Sequence, residues 1–366
     1  MSVIASVHSV LGEHSYPQAE ITAAFANVVS PDGSFLKVIE RIHEATGIQT
    51  RHLALPLAEY VGLESFGDAN DAYIRVALDL AEAAVAGALD SAGLAASDVS
   101  MIMATSITGI AVPSIDARLV SRLGLPADVK RLPVFGLGCV AGAAGIARLH
   151  DYLVGHPDDV AVLVSVELCS LTIQRDDTSM ANIVASGLFG DGAAAVVMVG
   201  ERRAAQMGLT GPRVMASVSR MYPDTERTMG WDIGGSGFRI VLSPGVADVI
   251  TTYMGEDVAN FLSAHELTSS DISHWVCHPG GPKVLHAMEA ALDLHSSELD
   301  VTWRSLAAIG NLSSASVLHV LRDTMQGSDA SASSADVATS VPVPGTFGLL
   351  TAMGPGFCSE LVLIQW

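Results

Sequence analysis

The chain has 366 residues, enough for two domains or one large two-part body with a substantial core. Hydrophobic residues make up 49% and aromatics only 5%, which excludes wholesale disorder and suits a tightly packed α/β enzyme. Nineteen basic against thirty-nine acidic residues give a formal charge of −20, which speaks against a nucleic-acid partner, since that needs clustered Lys and Arg.

The amino terminus, Met1 to Ser6, lacks the basic stretch and apolar run of a signal peptide, so a cytoplasmic protein is expected. Lys37 and Arg41 fall four apart on one helical face, and Arg51 follows. These three are the candidates for holding the phosphates of a nucleotide-bearing ligand against the global negative field; the alternative for the helix is a solvated face paired to Glu40 and Glu44. An alanine-rich amphipathic helix is predicted from about Ala72 to Ala92, then Ser97-Asp98-Val99-Ser100 and the apolar run Met101 to Ala104.

Gly138-Cys139-Val140-Ala141-Gly142 opens a helix of small residues. Val160 to Val166 and Ala194 to Val199 read as fully buried strands, the second preceded by the tight turn Gly190-Asp191-Gly192. A later helix near Val258 to His265 leads into Ser270-Asp271-Ile272-Ser273 and Cys277-His278-Pro279-Gly280-Gly281-Pro282. Gly310-Asn311-Leu312-Ser313 then opens a second small-residue helix. Residues 327 to 340 have linker composition and read as an exposed loop. The uncharged stretch from Val337 to Ser359 is broken by prolines and glycines, so stable membrane insertion is not expected.

These landmarks recur in the same order in both parts of the chain, which argues for duplication of one α/β unit. The halves are placed at 1–203, carrying Cys139, and 204–366, carrying His278 and Asn311. Duplication makes Cys139 and Asn311 equivalent, each at a helix start, where the partial positive charge of a helix N-terminus favours thiolate. The four cysteines, 139, 169, 277 and 358, show no Cys-x-x-Cys pair and no zinc spacing, and are expected as free thiols. No Gly-x-Ser-x-Gly elbow supports a serine hydrolase.

Taken together, Gly138 to Gly142, Leu188-Phe189-Gly190-Asp191-Gly192-Ala193-Ala194, His278 to Pro282 and Gly310 to Ala315 resemble the type III polyketide synthases, the chalcone and stilbene synthase-like family. The resemblance runs from about residue 35 to the C-terminus. It implies a thiolase-like α/β fold of two pseudo-duplicated αβαβα halves, and a homodimer with the loop of Thr108 and Pro113 near its interface. It implies Cys139 as acyl-accepting nucleophile, with His278 as imidazolium holding the thiolate and, with Asn311, donating to the enolate of decarboxylated malonyl-CoA. Phe189 matches a gatekeeping aromatic, with a core aromatic as the alternative, and Thr172 and Ser313 match chamber-lining positions.

The chain departs from the plant pattern at Cys169, which replaces a chamber threonine, at Ile240, near a second gatekeeping phenylalanine, and at Ala352-Met353-Gly354-Pro355-Gly356. Fewer aromatics imply a chamber for an aliphatic acyl chain, with an alkylresorcinol, alkylresorcylic acid or alkylpyrone as product. Acyl-CoA and malonyl-CoA are the implied substrates, with acyl carrier protein as another thioester carrier, and neither metal nor redox cofactor is called for. The rival is a ketoacyl-carrier-protein synthase III, which performs a single condensation. A thiolase would want a second catalytic cysteine, for which Cys358 is the candidate.

Overall fold

The computed structural model describes residues 1–327 and 341–366, so the loop expected at 327–340 lies almost wholly outside the described residues. The first half comprises β1 (Ser2–Leu11), β2 (His14–Pro17), α1 (Gln18–Val29), α2 (Leu36–Glu44), β3 (Thr50–Leu53), α3 (Phe66–Ala92), β4 (Val99–Thr105), α4 (Ile115–Leu123), β5 (Lys130–Val134), α5 (Ala141–Gly155), β6 (Val160–Leu168), α6 (Met180–Leu188), β7 (Asp191–Gly200) and α7 (Glu201–Met207). The second comprises β8 (Arg213–Met221), β9 (Met229–Gly234), β10 (Gly237–Leu242), α8 (Val246–Ser263), β11 (Ile272–Cys277), α9 (Pro282–Leu292), α10 (Asp300–Ile309), α11 (Ser316–Gln326), β12 (Phe347–Gly354) and β13 (Cys358–Gln365). The division expected at 203 falls inside α7; the strand pattern restarts at β8.

A nine-stranded sheet runs β11-β12-β13-β8-β1-β7-β6-β4-β5. Read outward from the antiparallel β1–β8 contact, each side repeats the same chain logic: β7, β6, β4 on one side and β13, β12, β11 on the other. The expected duplication extends to small detail. A 3₁₀ turn before β4 and another before β11 are closed alike, Ala95 N–H donating to Asp98 at 2.9 Å and Thr268 N–H to Asp271 at 2.8 Å.

The expected buried strands are β6 and β7, in which every residue is buried. Their alternating side chains face two helical layers. Val162, Val164, Ala195 and Val197 pack on α3, whereas Ala161, Leu163, Ala194 and Val196 pack on α5 and α11. The same α5–α11 layer meets Leu350, Ala352, Val362 and Ile364 of β12 and β13, whose other faces cover α8 and α9. The stack α3, one half of the sheet, α5–α11, the other half of the sheet, α8–α9 is the αβαβα arrangement. Ser65 and Asp68 form a capping box that starts α3 earlier than the apolar pattern indicated, and Gly93 in the left-handed region ends it. Among the described residues no helix is long and apolar enough to cross a membrane.

Candidate active site

The two central helices each start from a kinked turn, and these turns carry the candidate chemistry. Cys139 sits in the 3₁₀ turn Gly138–Val140 that feeds α5 and is 6% exposed. Gly138 takes φ +56°, and a Cβ there would stand 2.7 Å from the Pro355 ring, so only glycine lets the Gly354-Pro355-Gly356 loop close over the turn. On the other side Asn311 precedes the equivalent turn Ser313–Ala315 that feeds α11. The helices approach at Gly142, where a Cβ would lie 2.4 Å from Ser314 O.

The Cys139 thiol points to Ser313 Oγ at 3.7 Å. Burial pushes its pKa up to about 12, opposed by the Ser313 contact and reinforced by the nearby Glu167 carboxylate. Asn311 Oδ1 accepts from Ser313 N–H at 2.8 Å, which turns the other end of the amide away as a donor. His278, just beyond β11, is 5% exposed and neither ring nitrogen has a partner among the described residues. Burial alone drives its pKa down to about 3. Burial thus disfavours the charged form of each group.

Sequence reasoning missed Glu167. It is wholly buried at the end of β6 and gathers Ile107 N–H at 3.0 Å, Thr108 Oγ at 2.9 Å and Ser314 Oγ at 2.5 Å. A single charge inside the otherwise uncharged run 160–168 was the signal available. Thr108, besides donating to Glu167, accepts from Leu168 N–H, so this loop is tied into the sheet.

One cavity of about 790 Å³ adjoins these turns. Thr108, Cys169, Thr172, Phe189 and Ile240 all line it. Cys169 carries an electrostatic influence from Cys139, and Phe189 is bridged to Asn311, which sets the cavity beside these two residues. One wall of the cavity is aromatic. Phe238 meets Phe66 edge-on at 5.2 Å, with Phe135 and Trp231 each 6.0 Å away, and Trp231 is anchored by its indole N–H to Ile107 O at 3.0 Å. The β9–β10 hairpin supplies this wall, Ile240 lying opposite Trp231; scattered single aromatics had given no local pattern to read.

The other candidates separate. Ser313 lies at the cysteine, but Met353 is buried in the cluster holding Leu188 and Phe357 and does not line the cavity. Lys37 and Arg41 are exposed on α2. Arg51 corrects the expectation of a surface phosphate ligand: it is 2% exposed, donating to Gln18 Oε1, Ser186 O and Phe189 O. Cys358 directs its thiol to the Pro355 carbonyl at 3.2 Å and has no acid–base partner among the described residues, unlike a second thiolase cysteine. All four cysteines are free.

A buried cysteine and asparagine on twin helix starts in a duplicated αβαβα stack, with a buried histidine just beyond β11, define a thiolase-fold condensing enzyme. The family model for chalcone and stilbene synthases matches through its N-terminal domain at residues 2–202 and its C-terminal domain at 213–366, and the chain belongs to that family as a type III polyketide synthase, an acyltransferase. It is 55% identical over 364 residues to a 1,3,6,8-tetrahydroxynaphthalene synthase of Streptomyces peucetius subsp. caesius, covering 99% of this chain and 93% of that protein. A phloroglucinol synthase of Pseudomonas fluorescens is 30% identical, covering 100% and 99%. The crystal structure of the Streptomyces coelicolor 1,3,6,8-tetrahydroxynaphthalene synthase superposes with a TM-score of 0.90 at 29% identity, covering 100% of this chain and 99% of that one.

Proposed function

We propose that the chain condenses malonyl-CoA iteratively into a poly-β-keto thioester on Cys139 and cyclises it to a polyhydroxylated aromatic. The observation that carries this reading is the aromatic wall of Phe66, Trp231 and Phe238 on the cavity beside Cys139. Flat aromatic faces favour planar enolised chains through offset and edge contacts. The relatives support it chemically: tetrahydroxynaphthalene carries oxygen at alternating ring positions, as does phloroglucinol, a pattern that two-carbon units alone can build without an alkyl starter.

In this reading Cys139 Sγ attacks the thioester carbonyl while neutral His278 takes the thiol proton and returns it to the departing coenzyme A sulfur. Malonyl-CoA then loses carbon dioxide, and its enolate oxygen is held by the His278 N–H and the Asn311 amide. The enolate carbon attacks the Cys139 thioester and the cycle repeats. Lys37 and Arg41 on exposed α2 hold the coenzyme A phosphates. A homodimer forms along edge strand β5 and the loop from Thr108 to Ile115, where Ile110, Val112 and Phe135 leave apolar surface exposed.

A second reading, an alkyl starter yielding an alkylresorcinol or alkylpyrone, is favoured by the aliphatic end of the cavity at Ile21, Ala24 and Val28. Incubation with malonyl-CoA alone, with a graded acyl-CoA series, and with malonyl-loaded carrier protein separates these, with products identified by mass spectrometry. Aromatic product from malonyl-CoA alone is expected. Products that form only with a fatty acyl-CoA and grow with it would replace the first reading by the second, and a single β-ketoacyl product made only with carrier protein would overturn both.

A further inference from the structure

The cavity has a second polar feature that the condensation steps do not use. Asp191, the acid of the Gly-Asp-Gly turn, is wholly buried at the start of β7. Its Oδ1 accepts Ser170 N–H at 2.8 Å; its Oδ2 accepts Ala54 N–H at 2.6 Å and the Ser170 hydroxyl. The same Ser170 Oγ lies 2.5 Å from the Tyr60 hydroxyl. A serine has one hydroxyl proton, and here it goes to the carboxylate, so Tyr60 must donate to Ser170. Tyr60 and Ser170 both line the cavity, together with Cys169, Phe189 and Phe238. A tight turn before a buried strand needs no such chain: the backbone donors of Ser170 and Ala54 already satisfy the carboxylate.

We propose that Tyr60 is a further catalytic residue, a phenol that exchanges protons with the cavity-bound polyketide during ring closure, with Ser170 and Asp191 positioning it and relaying the proton. This rests on the polyketide reading above. A chain methylene flanked by two carbonyls gives its proton to Tyr60 Oη. The phenolic proton passes to Ser170 Oγ, and the serine proton to Asp191 Oδ2. The resulting enolate carbon forms a bond to a second carbonyl carbon of the chain, whose π electrons move to oxygen. That oxygen takes a proton from Tyr60 as the relay runs back, so no proton is gained or lost overall. Burial raises the Asp191 carboxyl to about 6, offset by its donors and by Arg51, which makes it a better proton acceptor than a solvated aspartate. Without this exchange the chain still closes through an enol oxygen onto its thioester, giving a lactone.

The test compares wild type with Tyr60→Phe, which keeps the ring in the wall, and with Ser170→Ala, which keeps the phenol and breaks the relay. Carbon dioxide release from malonyl-CoA and acylation of Cys139, followed by intact mass, report condensation; liquid chromatography with mass detection reports carbocycle and lactone. The expected result is a fall of about a hundredfold in carbocycle per carbon dioxide released in Tyr60→Phe, with lactone in its place, within the range general acid–base catalysis supplies. Ser170→Ala shifts the ratio the same way and less far. An unchanged carbocycle-to-lactone ratio in Tyr60→Phe overturns the proposal, as does a variant in which condensation and ring closure fall together. Absence of any polyketide from the wild type would instead reject the underlying function, so the two failures are distinguishable.

Discussion

Phe189 and Asn311 are joined backbone to backbone. Asn311 N–H donates to Leu188 O at 2.9 Å and Gly190 N–H donates to Asn311 O at 2.9 Å, an isolated parallel bridge between the end of α6 and the turn before α11. The cavity-lining ring and the candidate oxyanion amide are thereby placed by one piece of main chain, while their side chains remain free to vary independently. Asn311→Ala is expected to lower malonyl-CoA decarboxylation by about 10²–10³-fold, the loss typical of one oxyanion donor. Phe189→Leu keeps the bridge and is expected to lower it by less than about tenfold while changing product distribution. Carbon dioxide release and product analysis on the same samples check both; equal loss in the two variants would contradict the separation.

The buried thiol of Cys139 makes a pH prediction. With its thiol pushed up to about 12, Cys139 is protonated at neutral pH, and the thiolate fraction grows as pH rises toward that value. Alkylation of Cys139 by iodoacetamide in the free enzyme should therefore accelerate steadily between pH 7 and 10, read by peptide mass. A standing thiolate–imidazolium pair would instead give a rate nearly flat over that range. Cys139→Ala should lose acyl-enzyme formation altogether.

The same burial bears on stability in alkali. Cys139, Cys169 and Cys277 all have pKa values raised by burial. A raised folded pKa means that the unfolded chain releases these protons first, near its ordinary thiol range, while the folded chain still holds them. Stability is then fully present below that range and is lost as pH rises above about 9. The melting temperature should fall between pH 8 and 10, and the fall should be shallower in Cys277→Ala. Parallel slopes in the two proteins would remove the thiols as the cause.

How much of this was legible in sequence depends on whether the information was local. The twin small-residue turns, the strands β6 and β7 and the duplicated Ser-Asp landmarks were readable, because each depends on a few consecutive residues whose burial or capping dictates their type. Arg51 was misplaced because a guanidinium reads as surface until the acceptors that bury it, Gln18, Ser186 and Phe189, are seen to converge from distant segments. Glu167 and the Phe66, Trp231, Phe238 wall were missed for the related reason that their partners come from loops and a hairpin far apart in the chain. The direction in which the Cys139 and His278 pKa values move follows from burial, which no motif encodes.

Glu167 should be chiefly a clamp between the Thr108 loop and the Asn311 turn. Glu167→Ala would leave Ile107 N–H and the Thr108 and Ser314 hydroxyls without their acceptor in the interior, at about 1–3 kcal/mol for each such group. Glu167→Gln keeps an acceptor and should cost less. Urea unfolding of the two variants checks the order, and an alanine variant as stable as wild type would contradict it.

Gly142 carries the last test of the geometry, because it sets the distance between the two reactive turns. A methyl group there would stand 2.4 Å from Ser314 O and 2.7 Å from Val317, so α5 and α11 must move apart to admit it. Overpacking of this kind costs about 1–3 kcal/mol. The displacement acts on Ser313, the contact partner of Cys139, and on the Asn311 turn that shares its helix start. Gly142→Ala should therefore lose condensation out of proportion to stability: kcat should fall by at least about tenfold at a temperature where the variant remains folded, since small misplacement of reacting groups is costly. Gly155→Ala, at the far end of α5 where a methyl meets nothing within 4 Å, should leave both unchanged. Rate and melting temperature measured side by side decide it, and a Gly142→Ala enzyme with normal kcat would mean that the spacing of the two turns does not govern the reaction.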